Sequence, residues 1–159
     1  MRKYVVLTIL FVLPLVVYLF FASGINHFAQ LPVLTNDVVD VSEYSEDTFK
    51  NKITVLGFFG NNVQDKHGDA LNLNQKIYKR FYQFKDFQFI MIQPKGTSEL
   101  TQNLRTDLKT GTDTDLINWK FISIDDDQLL EIFNSLKTNL SLDSNLGTPY
   151  VFIIDRDSN

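Results

Sequence analysis

The chain has 159 residues and a mass of 18.4 kDa, enough for one ordinary domain and a short appendage. Its 44% hydrophobic and 21% charged residues are globular values, which exclude wholesale disorder, and no repeat at a solenoid period is present. With no cysteine, disulfides, thiol nucleophiles and thiolate metal ligands are excluded whatever the fold.

The first element is Tyr4 to Ala22, an uncharged apolar run that follows Arg2 and Lys3. Those residues, at about 1.5 Å each, nearly match a hydrocarbon core of about 30 Å, so a single uncleaved transmembrane signal anchor over residues 1–22 is predicted. Cleavage after Ala22-Ser23-Gly24 is the alternative. Pro14 would kink the helix, and Tyr4 and Tyr18 would sit near the two interfaces. No Lys or Arg follows until Lys50, so the positive-inside rule places the N-terminus in the cytoplasm and the body outside, in the periplasm if the source is bacterial. Without Arg2 and Lys3 the 15 Lys+Arg fall to 13 against 19 Asp+Glu, a formal charge of −6, which argues against nucleic acid as a partner.

Residues 23–51 are weakly patterned and read as a tether with one short strand around Val38-Val-Asp-Val41. Regular signals begin with Ile53-Thr-Val-Leu-Gly-Phe-Phe59, a strand buried on both faces. Ala70, Leu73, Ile77, Phe81 and Phe84 recur at gaps of three and four, predicting one helix from about Asp69 to Phe84, with Lys76, Lys79 and Arg80 mainly on the other side, where a solvated helix face is the plainer reading and a basic docking patch the alternative. Phe87-Gln-Phe-Ile-Met-Ile92 is a second inner strand ending at Pro94. Thr97 and Ser98 can cap a shorter helix bearing Leu100, Leu104 and Leu108, followed by the turn-rich Thr110-Gly-Thr-Asp-Thr-Asp115. The strand Trp119-Lys-Phe-Ile-Ser-Ile124 leads to Asp125, Asp126 and Asp127 at a helix N-terminus, and Tyr150-Val-Phe-Ile-Ile154 is the last strand. Strands alternating with helices predict an α/β domain, residues 52–159, around a mainly parallel sheet.

That order, ending in Gly147-Thr-Pro-Tyr-Val-Phe-Ile-Ile-Asp155, resembles the thioredoxin-like superfamily. In that fold a cis-proline faces the active-site loop, so the resemblance implies a cis bond between Thr148 and Pro149 and a cleft there that holds an extended ligand. The anchor, the tether with Phe28-Ala-Gln-Leu-Pro32, the Gly57-Phe58 pair before a polar loop and Trp119-Lys-Phe are most similar to the Sco/SenC group. Members of that group bind copper through a Cys-x-x-x-Cys loop after the first inner strand and a His before the last strand. Laid over this chain, those positions fall at Asn61, Asp65 and Gly147, and none can replace a soft thiolate or imidazole ligand. Disulfide exchange and peroxide reduction need a thiolate and are excluded by composition.

Other chemistry is thinly marked. Asp65, His67 and Asp69 are weak metal candidates in the loop Gly60-Asn-Asn-Val-Gln-Asp-Lys-His-Gly68, where a polar loop with Asp69 at a helix start is the plainer reading. Asp113, Asp115 and the Asp125 to Asp127 run lack the continuation of a calcium loop and read as turn and cap residues. Of the two histidines, His27 lies in the tether and only His67 could serve a Ser-His-Asp arrangement, for which no serine is marked as nucleophile. Asn139-Leu-Ser141 fits a glycosylation sequon, a pattern common by chance. Asp155-Arg-Asp-Ser-Asn159 reads as a hairpin turn without its second strand, and the fold resembled continues with one more strand and a helix, so a truncated chain is expected. The expected function is therefore a non-catalytic, cofactor-free binding or assembly module, held in the membrane by its N-terminal helix. Its partner would be a protein or peptide at the Thr148–Pro149 cleft. The alternative is a metallochaperone or cytochrome oxidase assembly-like factor using non-thiol ligands.

Overall fold

The computed structural model describes residues 2–23 and 32–159, in two compact units that divide between Pro32 and Val33. His27 and the tether residues Phe28 to Leu31 lie outside the described residues.

The first unit carries helix α1 (Arg2–Ala22), with Pro14 inside it and a mean hydropathy of 2.8. Its large apolar side chains are all exposed, between 45% and 75%, on every side of the helix. A helix of this kind is long and apolar enough to cross a membrane, since 21 residues rise about 31 Å.

In the second unit, among the described residues, strands β1 (Ile53–Phe59), β2 (Phe87–Pro94), β3 (Trp119–Ile124) and β4 (Gly147–Ile154) form one sheet in the order β3-β2-β1-β4. β2 is buried at every residue and β1 at all but Ile53, as near-continuous apolar runs require when both faces of a sheet are covered. β1, β2 and β3 are parallel, with Ile53 opposite Phe87 and Phe89 opposite Trp119, while β4 runs antiparallel to β1 with Thr54 opposite Ile154. Parallel neighbours need helical crossovers. The first crossover runs through α2 (His67–Leu73), a π-helical turn (Asn74–Tyr78) and α3 (Lys79–Phe81); the second is α4 (Ser98–Thr112).

One face of the sheet packs Leu56, Phe58, Ile90 and Ile92 against Leu129, Ile132 and Phe133 of α5 (Asp126–Ser135), together with Val38, Val41 and Phe49. The other packs Val55, Phe89, Met91 and Trp119 against Ala70, Tyr78, Leu104 and Leu108. The mixed α/β layering expected from the sequence is therefore present.

Several local expectations are corrected. The segment from Val33 belongs to the second unit, and no strand forms near Val38; Val41–Glu43 is a 3-10 turn instead. Asp40 causes this, because its carboxylate takes N–H donors from Ser42 and Phe49 and the Thr48 hydroxyl, drawing the chain into a local turn. The helical stripe also shifts phase at the π turn. Asn74 and Tyr78 become buried, while Phe81 and Phe84 remain 44% and 62% exposed. What favours the wider turn is Tyr78, whose ring lies 5.1 Å from Trp119 and 5.3 Å from Phe89 and whose hydroxyl donates to Asp115 O and accepts from Asn118 N. α4 runs on to Thr112, ended by Asp113 at φ 50°, so the expected turn is half helical.

Candidate functional site

The loop after β1 and the turn before β4 meet at one end of the sheet, where the parallel strands finish. Gly60 has φ +68°, and a Cβ there would lie 2.3 Å from Asn145 O and 2.7 Å from Gly147 N. Only glycine fits both the left-handed backbone and the gap. The approach is sealed by a hydrogen bond of 2.7 Å from Asn61 N–H to Asn145 O. Val63, fully buried, pins the loop to the core, and the Asn62 amide donates to the Asp65 carboxylate.

On the opposite side, Asp143 organises the turn: its Oδ1 accepts from Asn145 N at 2.8 Å and from Gly147 N at 2.9 Å. The Gly147 N–H holds this carboxyl below the usual carboxylate range, helped by the Asn145 N–H and the Lys66 charge and opposed by slight burial. Of the three positions laid over the copper ligands, Asn61 and Gly147 are thus brought together, Asn61 bonding to Asn145 O and Gly147 lying two residues beyond Asn145. Asp65 is turned to Asn62.

The bond between Thr148 and Pro149 is trans, since no peptide bond among the described residues is cis; this corrects the expected cis-proline. The register explains why. Gly57 pairs with Val151 and Phe59 with Gly147, so Thr148, Pro149 and Tyr150 together oppose Phe58 in a bulge. A bulge bends the strand and tolerates a residue without an N–H, so the chain turns there with the default isomer. Thr148 is buried, and Pro149, not Thr148, lines the neighbouring groove.

That cleft lies beside the expected place. Asp69, Asn72, Leu73, Lys76 and Ile77 on the first crossover face Pro149 and Val151 of β4 across an open groove of about 230 Å³. Its floor and strand wall are apolar, and its helix wall offers a carboxylate, an amide and an ammonium. Asn72 escaped the sequence reading and Lys76 was assigned to a solvated helix face, because polar residues on an amphipathic helix look solvated unless a strand is known to stand opposite. The Asp143-Ser-Asn-Leu-Gly147 turn had a readable signal, an aspartate ahead of an Asn and a Gly.

The weak metal candidates are not gathered. His67 Nε2 lies 3.4 Å from Asp107 Oδ2 on α4, both side chains about half exposed, while Asp65 accepts from Asn62 and Asp69 lines the groove. Among the described residues no three His, Cys, Asp or Glu side chains are placed to hold an ion. Asp125 takes its expected capping role, in a capping box with Gln128. A second, wider concavity on α4, between Arg105, Lys109, Asp113 and Asp115, carries both charges and no unusual group.

In comparisons with protein-family models, curated proteins and solved structures, nothing matches this chain.

Proposed function

We propose that the chain is a single-pass, extracytoplasmic, thioredoxin-like module of Sco/SenC-like kind that binds a protein or peptide partner and performs no thiol chemistry. The observation that carries this reading is the meeting of the loop after β1 with the turn before β4, beside a groove, in a chain without a thiol. The element order supports the fold: strand and helix three times, then a strand entered through Gly147-Thr-Pro. Arg2 and Lys3 ahead of an apolar helix, with no further cation until Lys50, support the orientation.

A partner fitted to the groove presents apolar side chains to Leu73, Ile77 and Val151 and a charge to Lys76 or Asp69. The test is photocrosslinking in native membranes from a reactive residue at Asn72, with Gln102 on α4 as control. One discrete adduct at Asn72, weakened by Lys76→Glu and absent at Gln102, is expected. No adduct at Asn72 would refute the groove. Tight stoichiometric Cu(II) or Zn(II) binding by the full chain, abolished by His67→Ala, would refute the reading as a pure binding module.

A further inference from the structure

The first residues of β1 and β2 and the last of β4 lie at one end of the sheet, as the pairs Ile53 with Phe87 and Thr54 with Ile154 require. The polypeptide enters the domain at this end. Val38 N–H donates to Ser158 O at 3.1 Å, Asn51 N–H to Arg156 O at 3.1 Å, and the Arg156 guanidinium pairs at 3.0 Å with Asp86, two residues from Phe84.

Phe81 and Phe84 stand exposed here with ring centroids 6.3 Å apart, and Phe81 leans on Phe87 at 5.5 Å. Ile53, opposite Phe87, extends the apolar surface. Arg80 and Lys85 flank the two rings, and neither is in an ion pair among the described residues. Of the carboxylates at this end, Asp86 is matched by Arg156, and Asp155 is turned into the chain to accept from Asp157 N and Asn159 N. Asp37 and Asp157 form no ion pair among the described residues.

Exposed aromatic rings flanked by cations suit the headgroup boundary of a bilayer, where rings enter the acyl edge and cations meet anionic headgroups. We infer that the Phe81–Phe84 end of the domain is a lipid-contacting surface for a bilayer that carries anionic headgroups. The inference rests on the membrane-anchored reading.

Because the chain has no cysteine, one can be introduced for labelling. The full chain carries Gln83→Cys with an environment-sensitive fluorophore, or Ser144→Cys at the opposite end, in phosphatidylcholine vesicles with and without phosphatidylglycerol. Acyl-brominated lipid is expected to quench the label at 83 several-fold more than at 144, and more with phosphatidylglycerol. Arg80→Glu with Lys85→Glu removes the phosphatidylglycerol dependence; Phe81→Ser with Phe84→Ser removes the quenching, with the emission of buried Trp119 unchanged as proof of folding. Equal quenching at 83 and 144 overturns the inference, as does a label at 83 shielded by a second copy of the chain without lipid quenching. Release of the protein from vesicles by alkaline extraction overturns the anchored reading on separate grounds.

Discussion

Gly60→Ala tests the contact on which the candidate site depends. Two costs arise at once. A non-glycine residue at φ +68° loses about 1 to 2 kcal/mol, and the new Cβ, 2.3 Å from Asn145 O, can be relieved only by moving backbone. That movement breaks the bond from Asn61 N–H to Asn145 O, worth about 1 kcal/mol net. The total is about 2 to 4 kcal/mol, which at a urea slope of about 2 kcal/mol per molar lowers the midpoint by about 1 to 2 M. Trp119 reports this directly, because it is the one tryptophan in the chain, is fully buried, and lies outside α1. Gly68→Ala is the control: it sits in the first turn of α2 with nothing within 4 Å of its added Cβ, so it is expected to stabilise by up to about 1 kcal/mol. A Gly60→Ala protein as stable as the parent would refute the argument that this loop and turn are locked together.

Asp40→Asn keeps one acceptor oxygen, loses the charge, and is expected to flatten the acid limb of the stability curve. In the native protein burial opposes ionisation of Asp40 but is outweighed by hydrogen bonds from Thr48, Ser42 and Phe49, so its pKa is lowered from 3.8. A lowered carboxyl contributes stability that is present above the unfolded value and lost as pH falls through the folded one, so denaturation monitored below pH 4 checks the sign. Tyr78→Phe is expected to cost about 1 to 3 kcal/mol by orphaning Asp115 O and Asn118 N, measurable by urea denaturation. Burial raises the Tyr78 hydroxyl from 10.0 to about 12, so its contribution is complete below pH 10 and lost as pH rises towards 12; the variant should lack that alkaline loss. Val63→Ala removes the side chain that pins the loop and should cost about 2 kcal/mol while speeding amide exchange at Asn61.

The sheet was legible because its signals are local: three of the four strands appear within two residues of where unbroken apolar runs place them. The first crossover was legible only to its midpoint. A gap-of-three-and-four pattern assumes a uniform 3.6-residue turn, and Tyr78 breaks it through partners on β2 and β3 that no helical window contains. The segment from Val33 to Asn51 was read as tether because its contacts are distant, with Thr35 Oγ1 donating to Leu136 O and Val39 N–H to Ser135 Oγ. The expected polar loop is a loop only from Gly60 to Asn62, since Val63–Lys66 is a 3-10 turn and α2 begins at His67, and the groove beside it needs the pairing of β4 with β1 to bring Pro149 and Val151 opposite Asn72 and Lys76. Pro149 shows the limit of resemblance: the bulge re-aims the chain without the isomer that the family leads one to expect.

The groove and the exposed aromatic end share one helix, which makes them separable by experiment. Arg80 lies eight residues beyond Asn72, about 12 Å along the axis, and the Debye length at physiological salt is about 8 Å. Reversing the charges of Arg80 and Lys85 is therefore largely screened at Asn72. If the two surfaces meet different things, a partner at the groove and lipid at Phe81 and Phe84, the double reversal removes the phosphatidylglycerol dependence at position 83 and weakens the Asn72 adduct far less than Lys76→Glu does. Lys76→Glu should do the converse, weakening the adduct while the lipid quenching persists, because residues without a shared partner act additively. Loss of the Asn72 adduct on reversing Arg80 and Lys85 would mean that one partner covers the segment from Asp69 to Lys85, and the aromatic end would then belong to that partner's footprint instead of to the bilayer.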